Sequence, residues 1–560
     1  MLNRSRSEFS DFGLGVIFVV LDERDKVSHA RLNVHLRSIE GPALIAVVIV
    51  AATRAIVTQD LVFGDEVSYL TSGQNMSQGS LPGFSGSATY VDLYFLLSKA
   101  TSDPIGLYFS MRAVSAVAFV VGVWVAARLL VGPALAWVAA ATAAALPVAY
   151  VWPGVSGPAA GALLIGFALF ARYRNVAALA TSTGLFWLAA GSRPEFAWIA
   201  LVTSVLSLVW LVAQLRAEGG TKSERLRNFF AVMVGAVGVP IALVSLHGSP
   251  FAGGRSWEAF SQHFSLRNSL GSEDPWLDSA EIVGRSFPGV DSVGQAVLTN
   301  PSVFISHVFS NVADFPVSLF HQVFGGPLIG SLMVIVLFLS MLASVALRPR
   351  IALSKLRFSF GLFWGNRKII KNILLIFVGL LFFAALAIPI LVIFPRDHYL
   401  IVPAGLLILV IVVIQDQFGS PKLTLALPFA LTFLLFVLLS AQVLQQTIGR
   451  MTYPAPIAKT LSLMENTSTD WRILSLDWGL NTGASTFVDS AEVVGPNQFA
   501  PGQEFEKSLI ESRINAVWVT SDFNNLNAEQ FPGLEQFLIE PEAFGFRPIH
   551  PESSMYVKVN

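Results

Sequence analysis

The chain has 560 residues, 54% of them hydrophobic and only 13% charged, against roughly 25% charged in an ordinary soluble protein, so much of its surface faces lipid. The formal net charge of −1 argues against nucleic acid as a partner. There are no cysteines, which excludes disulfides, thiolate catalysis and cysteine-ligated zinc or iron–sulfur centres. The fold class these facts predict is mainly α, a polytopic membrane protein.

Residues 1–40 read as a cytoplasmic segment. Their apolar run, 12–21, is flanked by Glu8 and Asp11 before it and by the charged stretch 22–26 after it. It is shorter than the roughly 20 apolar residues a spanning helix needs, and no removable targeting segment is evident.

Residues 41–445 read as a multi-span domain. Apolar runs long enough to cross fall near 41–60, 105–127, 133–151, 155–171, 176–191, 195–214, 228–246, 326–347, 372–394, 399–415 and 422–444, about eleven spans on the usual window. With that count, Arg24 to Arg37, Arg172 and Arg174, Arg216 to Arg227 and the basic segment 348–371 all fall on one side, as the positive-inside rule requires. The expected placement is an integral protein of the plasma (inner) membrane with a cytoplasmic N-terminus and an extracytoplasmic C-terminus. Residues 301–322 are apolar enough to compete as a span. However, His307, Asn311, Asp314, Ser318 and His321 recur along one helical face, a pattern suited to an amphipathic helix lying in the interface.

Charge then collects on the outer side. The loop 61–104 holds Asp65 and Glu66, and the segment 247–325 holds Arg255, Trp257, Glu258, His263 and Arg267. Arg112, the turn Arg193-Pro194-Glu195 and the turn Pro395-Arg396-Asp397-His398-Tyr399 lie at the same face. Most span interiors carry no charge, which weighs against an ion-coupled transporter. Arg54 is the exception, roughly three helical turns from Asp65; an interfacial anchor and a phosphate ligand are both open readings. In 255–268, Trp257, Phe260 and Phe264 share a helical face, fitting either an amphipathic helix on the outer leaflet or a plain structural segment. Residues 446–560 change character: strand-like runs at 471–476, 491–494, 515–520 and 555–559 with a helical stretch at 504–512 predict a small extracytoplasmic α/β domain.

Phe63-Gly64-Asp65-Glu66-Val67-Ser68-Tyr69, placed after a first span, resembles the first outer loop of the C-type integral-membrane glycosyltransferases, in particular the protein O-mannosyltransferase and aminoarabinose-transferase-like group. Arg112-Ala113-Val114-Ser115 is similar to the start of that group's next segment, and Arg396-Asp397-His398-Tyr399 to its late arginine–tyrosine turn. One departure stands out. Many relatives carry His-Pro-Pro-Leu-Tyr before the second span, where this chain has Ala88-Thr89-Tyr90-Val91-Asp92-Leu93-Tyr94.

The resemblance implies transfer of a sugar, with inversion, from a polyprenyl-phosphate carrier to an acceptor hydroxyl of a lipid, glycan or protein. Such chemistry needs a base for the acceptor and cations for the departing phosphate. By resemblance Asp65 is the base and Glu66 positions the acceptor or a divalent metal (Mg or Mn). Arg54, Arg112, Arg193 and Arg396 are candidate phosphate ligands, with Tyr69, His398 and Tyr399 as further substrate-binding residues. The implied partners are the lipid-linked sugar donor, membrane lipid and an unidentified acceptor. Two other classes remain open: a lipid-linked glycan polymerase or ligase, and a lipid-glycan flippase or transporter. His263, His307 and His321 match no compact metal-ligand spacing and read as polar faces of interfacial helices. No Gly-rich phosphate loop is present.

Overall fold

A computed structural model describes residues 40–560 except 77–80, 84–86, 217–220, 252–254, 271–274, 277, 326–327, 347–368, 419–422, 453–454, 468, 476–484, 489–490, 496–503, 520–531, 552 and 560. The N-terminal segment up to residue 39 and most of the basic segment 348–371 lie outside the described residues.

The chain begins on α1 (Glu40–Val57), then forms two short helices, α2 (Asp65–Asn75) and α3 (Ala88–Ser98), before the long α4 (Pro104–Leu130). Asp103 caps α4, its carboxylate accepting from the amides of Ile105 and Gly106. Next come α5 (Pro133–Ala145), α6 (Ser156–Tyr173), α7 (Val176–Ser192) and α8 (Ala197–Arg216). The expected span 133–151 stops at Ala145, because Pro147 withdraws an amide and drives Leu146 to an extended conformation. α9 (Lys222–His247) leads to the short helices α10 (Arg255–Asn268), α11 (Ser279–Ser286) and α12 (Val293–Thr299), and then to α13 (Pro301–Phe324) and α14 (Leu328–Ala346). α15 (Ile369–Ala387) continues into a π-helical turn, Ile388–Ile393, and is followed by α16 (Ile401–Phe418), α17 (Leu423–Thr452) and α18 (Pro456–Glu465).

Among the described residues, seven helices are long and apolar enough to cross a membrane, rather than the eleven expected. Several other expected spans, such as Pro133–Ala145 and Val176–Ser192, are apolar but shorter. Two sequence expectations about amphipathic helices change. α13 is one of the seven, and its polar face turns inward at His307 and Asn311, which are buried, while Asp314 and Ser318 are half-buried and His321 is exposed; Ile305, Phe309, Val317 and Phe320 are exposed as well. A helix that is apolar outside and polar inside suits a lipid-facing position better than a water–lipid boundary. In α10 the aromatic face also packs inward, Phe260 and Phe264 being buried against Phe287 and Phe304.

The contact between α4 and α6 in the core of the bundle is made through small residues. A Cβ on Gly122 of α4 would lie 2.3 Å from the Gly161 Cα of α6, so the two backbones approach as closely as small-residue membrane interfaces permit. After α18 the chain forms a five-stranded sheet of order β2-β1-β3-β5-β4, with β1 Trp471–Ser475, β2 Ala491–Val494, β3 Ala516–Trp518, β4 Phe546–Pro548 and β5 Met555–Lys558. The first three strands run parallel, β5 runs antiparallel to β3, and β4 is antiparallel to β5. This is the small α/β unit expected from the sequence, with one additional strand, β4.

Gly122→Val is expected to push α4 off α6 and to destabilise the protein by at least about 2 kcal/mol. Gly132→Ala, where nothing lies within 4 Å of the added carbon, is expected to leave thermal unfolding unchanged. Melting curves of the purified full-length protein check both.

Candidate functional site

The two adjacent carboxylates face opposite ways. Gly64 has φ of 88° and a Cβ there would meet the Trp152 ring at 3.2 Å, so glycine is required immediately before α2 on both counts. α2 then starts with Asp65 and Glu66 in its first turn, where negative charge complements the helix dipole. Helical geometry turns neighbouring residues about 100° apart, which leaves Asp65 exposed and Glu66 with no exposed surface.

Glu66 is held by three hydrogen bonds. Its Oε1 accepts from the hydroxyls of Tyr90 and Tyr94, both at 2.6 Å, and its Oε2 from the Gly154 amide at 2.8 Å. Tyr90 and Tyr94, four residues apart on α3, present both hydroxyls from one face, so α3 grips Glu66. Burial, reinforced by the Glu66 charge, pushes both phenols well above their ordinary range, keeping them protonated donors.

A cationic cluster stands next to Tyr69 of α2. Arg193, in the α7–α8 turn, is buried, pairs with Glu195 at 2.7 Å and stacks on the Tyr399 ring at 4.6 Å. Burial opposes its charge, but Glu195, Tyr399 and Tyr69 outweigh that and raise its pKa above the usual arginine range. Arg255, at the start of α10, donates to the Tyr69 hydroxyl at 3.3 Å. Arg396, half-buried in the turn after the π-helix, lies over the Trp276 ring at 4.9 Å and senses the charges of Asp65 and Asp397.

Two buried histidines complete the cluster. Burial and the neighbouring arginines hold His398 well below the usual histidine range. Burial, with Arg396 second, lowers His263 to about 4. His263 Nδ1 lies 2.5 Å from the Ala259 carbonyl, which fixes the tautomer with Nδ1 protonated and leaves the buried Nε2 as a free lone pair. Both rings are neutral at pH 7.

The turn carrying Arg396 is fixed from behind. The π-helical turn leaves backbone carbonyls outside the regular ladder, and α13 engages them. Asn311 Nδ2 donates to Leu391 O at 2.8 Å, and His307 Nε2 lies 3.0 Å from Ile393 O. Arg267 links Asn311 Oδ1 (3.0 Å) with Asp314 (2.6 Å) and lies over the Phe394 ring at 5.5 Å.

Of the residues singled out by the sequence, Asp65, Tyr69, Arg193, Arg396, His398 and Tyr399 gather around this cluster, and Glu66 lies behind it. Arg54 and Arg112 lie apart. Arg54 is buried, donates to Ala144 O at 2.9 Å and lies over the Tyr150 ring at 4.6 Å. Arg112 donates to Gln59 and, at 3.1 Å, to Tyr150 O. Sequence reasoning passed over Arg255 as a ligand and read His263 as a solvated polar face. A signal was present in the Arg255-to-His263 spacing of eight residues, which puts both near one helical face.

A divalent ion between Asp65 and Glu66 fits poorly. Both Glu66 oxygens are already engaged, and among the described residues no three His, Asp or Glu side chains converge as a metal site would require.

No family model matches the chain, and no curated protein sequence matches it. Among solved structures it is similar to the archaeal oligosaccharyltransferase AglB from Archaeoglobus fulgidus in complex with an inhibitory peptide and a dolichol-phosphate. That likeness has 12% sequence identity and a TM-score of 0.39, over 93% of this chain and 74% of that one. An apo-form oligosaccharyltransferase from the same organism is similar at 12% identity and a TM-score of 0.39, over 89% of this chain and 72% of that one. Likeness at this TM-score is too distant to assign fold or activity.

The neutral histidines predict a pH dependence. Between pH 6.5 and about 4 the unfolded chain binds a proton at residue 263 that the folded protein refuses, so stability falls as pH drops through that window. His263→Asn is expected to make that fall shallower in thermal unfolding across the same range. An unchanged slope would contradict a neutral buried His263.

Proposed function

We propose that the chain is a membrane glycosyltransferase that moves a sugar from a polyprenyl-phosphate carrier onto an acceptor hydroxyl at the outer membrane face, with inversion. The observation that carries this reading is the gathering of Arg193, Arg255 and Arg396 about Tyr69 and Tyr399, with the exposed carboxylate of Asp65 acting on Arg396 through its charge.

Asp65 takes the proton from the acceptor hydroxyl as its oxygen bonds to the anomeric carbon. The bond from that carbon to the phosphate oxygen breaks, and its electron pair leaves with the carrier phosphate. The departing phosphate gains a negative charge, which the three guanidiniums are placed to meet. Attack from the face opposite the leaving group inverts the anomeric centre. Tyr69 and Tyr399 orient Arg255 and Arg193, while His398 and His263 offer hydrogen bonds without adding fixed charge. Glu66 anchors the loop that presents Asp65, and Arg54 and Arg112 brace the turn at Tyr150. The loops 61–104 and 247–325 and the unit 446–560 lie on the extracytoplasmic side with the site.

The concentration of arginine and histidine favours one second reading, a lipid-linked glycan polymerase or ligase, in which the cations do the work and Asp65 is dispensable. A panel of labelled polyprenyl-phosphate sugars, supplied to full-length protein with membrane extract as acceptor, separates the two. The transferase reading expects Asp65→Asn to lose roughly 100-fold or more in rate and Arg396→Gln a similar factor, both with intact folding. Loss in Arg396→Gln with full activity in Asp65→Asn would favour the polymerase or ligase.

A further inference from the structure

The loop that presents Asp65 is fastened to the part of the chain that follows the last long helix. Asp60 Oδ2 accepts from the Ile457 amide at 2.8 Å and Oδ1 from the Ala458 amide at 3.3 Å, while Oδ1 also accepts from the Leu61 amide at 2.8 Å. These are early amides of α18, a helix whose own N-cap, Ala455, has no side chain to satisfy them. Asp60 therefore supplies, from 397 residues away, the cap that α18 lacks, and its charge complements the helix dipole. On the membrane side, Arg450 near the end of α17 donates to Val57 O at 3.0 Å.

The fastening continues beyond Asp60. The Phe63 ring stands edge-on to Phe487 at 6.0 Å and to Trp518 of β3 at 5.8 Å. Thr71 of α2 meets Thr486 at 2.6 Å, oxygen to oxygen. Leu61, Val67 and Leu70 share one apolar core with Trp471, Ile473 and Met555 of the sheet. Contacts thus bracket Asp65 on both sides in sequence while its own side chain is exposed.

We propose that residues 446–560 act as a clamp on the segment 60–71, which runs from Asp60 into the first turns of α2, with Asp60 as the positioning residue that couples α18 to the placement of Asp65. The unit serves the reaction mechanically, by fixing the base. A displacement of about 1 Å in a reacting group costs on the order of 100-fold in rate, so a clamp of this kind is visible in turnover. This proposal rests on the reading of Asp65 as the base, although the clamp itself can be measured without substrate.

The test uses the full-length protein in lipid nanodiscs. Asp60→Ala removes the cap, whereas Asp60→Asn keeps an oxygen able to accept from the α18 amides. Hydrogen–deuterium exchange over 61–71 is expected to rise about tenfold in Asp60→Ala and to return toward wild type in Asp60→Asn. In the sugar-transfer assay, kcat is expected to fall roughly tenfold or more in Asp60→Ala with donor KM within about twofold, and Asp60→Asn is expected to recover most of it. Leu211→Ala opens a cavity remote from the clamp, where Leu211 packs with Val176 and Val232, and reports the effect of lost stability alone. Unchanged exchange over 61–71 in Asp60→Ala, or equal kcat loss in Leu211→Ala at matched melting temperature, would overturn the clamp. Raised exchange in Asp60→Ala together with full activity in Asp65→Asn would sink the transfer reading and leave the mechanical coupling standing.

Discussion

A carboxylate with no exposed surface must find its hydrogen bonds inside the protein, and Glu66 finds three: two tyrosine hydroxyls and one backbone amide. An unsatisfied buried carboxylate costs far more than an ordinary missing hydrogen bond, so this arrangement admits little variation. It ties α2 to α3 through Tyr90 and Tyr94 and to the segment before α6 through Gly154. Because Asp65 is the preceding residue of the same helical turn, fixing Glu66 inward fixes Asp65 outward. The exposed carboxylate is placed by the buried one.

The cluster facing Asp65 resolves a problem of charge. Arginines brought together without partners repel and lose hydration, and burial works against each of them. Arg193 is compensated by Glu195 and by the Tyr399 ring and Arg255 by the Tyr69 hydroxyl, whereas burial holds Arg396 below the usual arginine range and Tyr399, Asp65 and Asp397 offset this only in part. The two histidines stay neutral in that field. The geometry of the cluster depends on supports lying well away from it: α13 engages the carbonyls behind Arg396, and the C-terminal sheet packs on the loop behind Asp65.

Local signals in the sequence carried much of this, and non-local ones were lost. The Gly64–Tyr69 stretch and the 396–399 turn were legible because each is a short motif whose residues act together. Arg255 and His263 were not, since a long outer segment gives no indication of which of its faces folds back. Arg54 and Arg112 were grouped with the other arginines by membrane side, and side does not determine which way a side chain turns. α13 showed its amphipathic pattern plainly, but not that His307 and Asn311 turn inward onto the carbonyls behind Arg396. The π-helical turn and the three-residue β4, which ends in a proline, leave no periodicity to detect.

The central claim is that the departing phosphate sits among Arg193, Arg255 and Arg396 with the anomeric carbon turned toward Asp65. A cryo-electron microscopy structure with a polyprenyl-phosphonate sugar, in which carbon replaces the cleaved oxygen, tests it directly. The account predicts phosphonate density in contact with Arg396 and Arg193 and the Asp65 carboxylate on the opposite side of the anomeric carbon. Phosphonate density at Arg54 and Arg112 beside Tyr150, with Asp65 remote from the sugar, would contradict it.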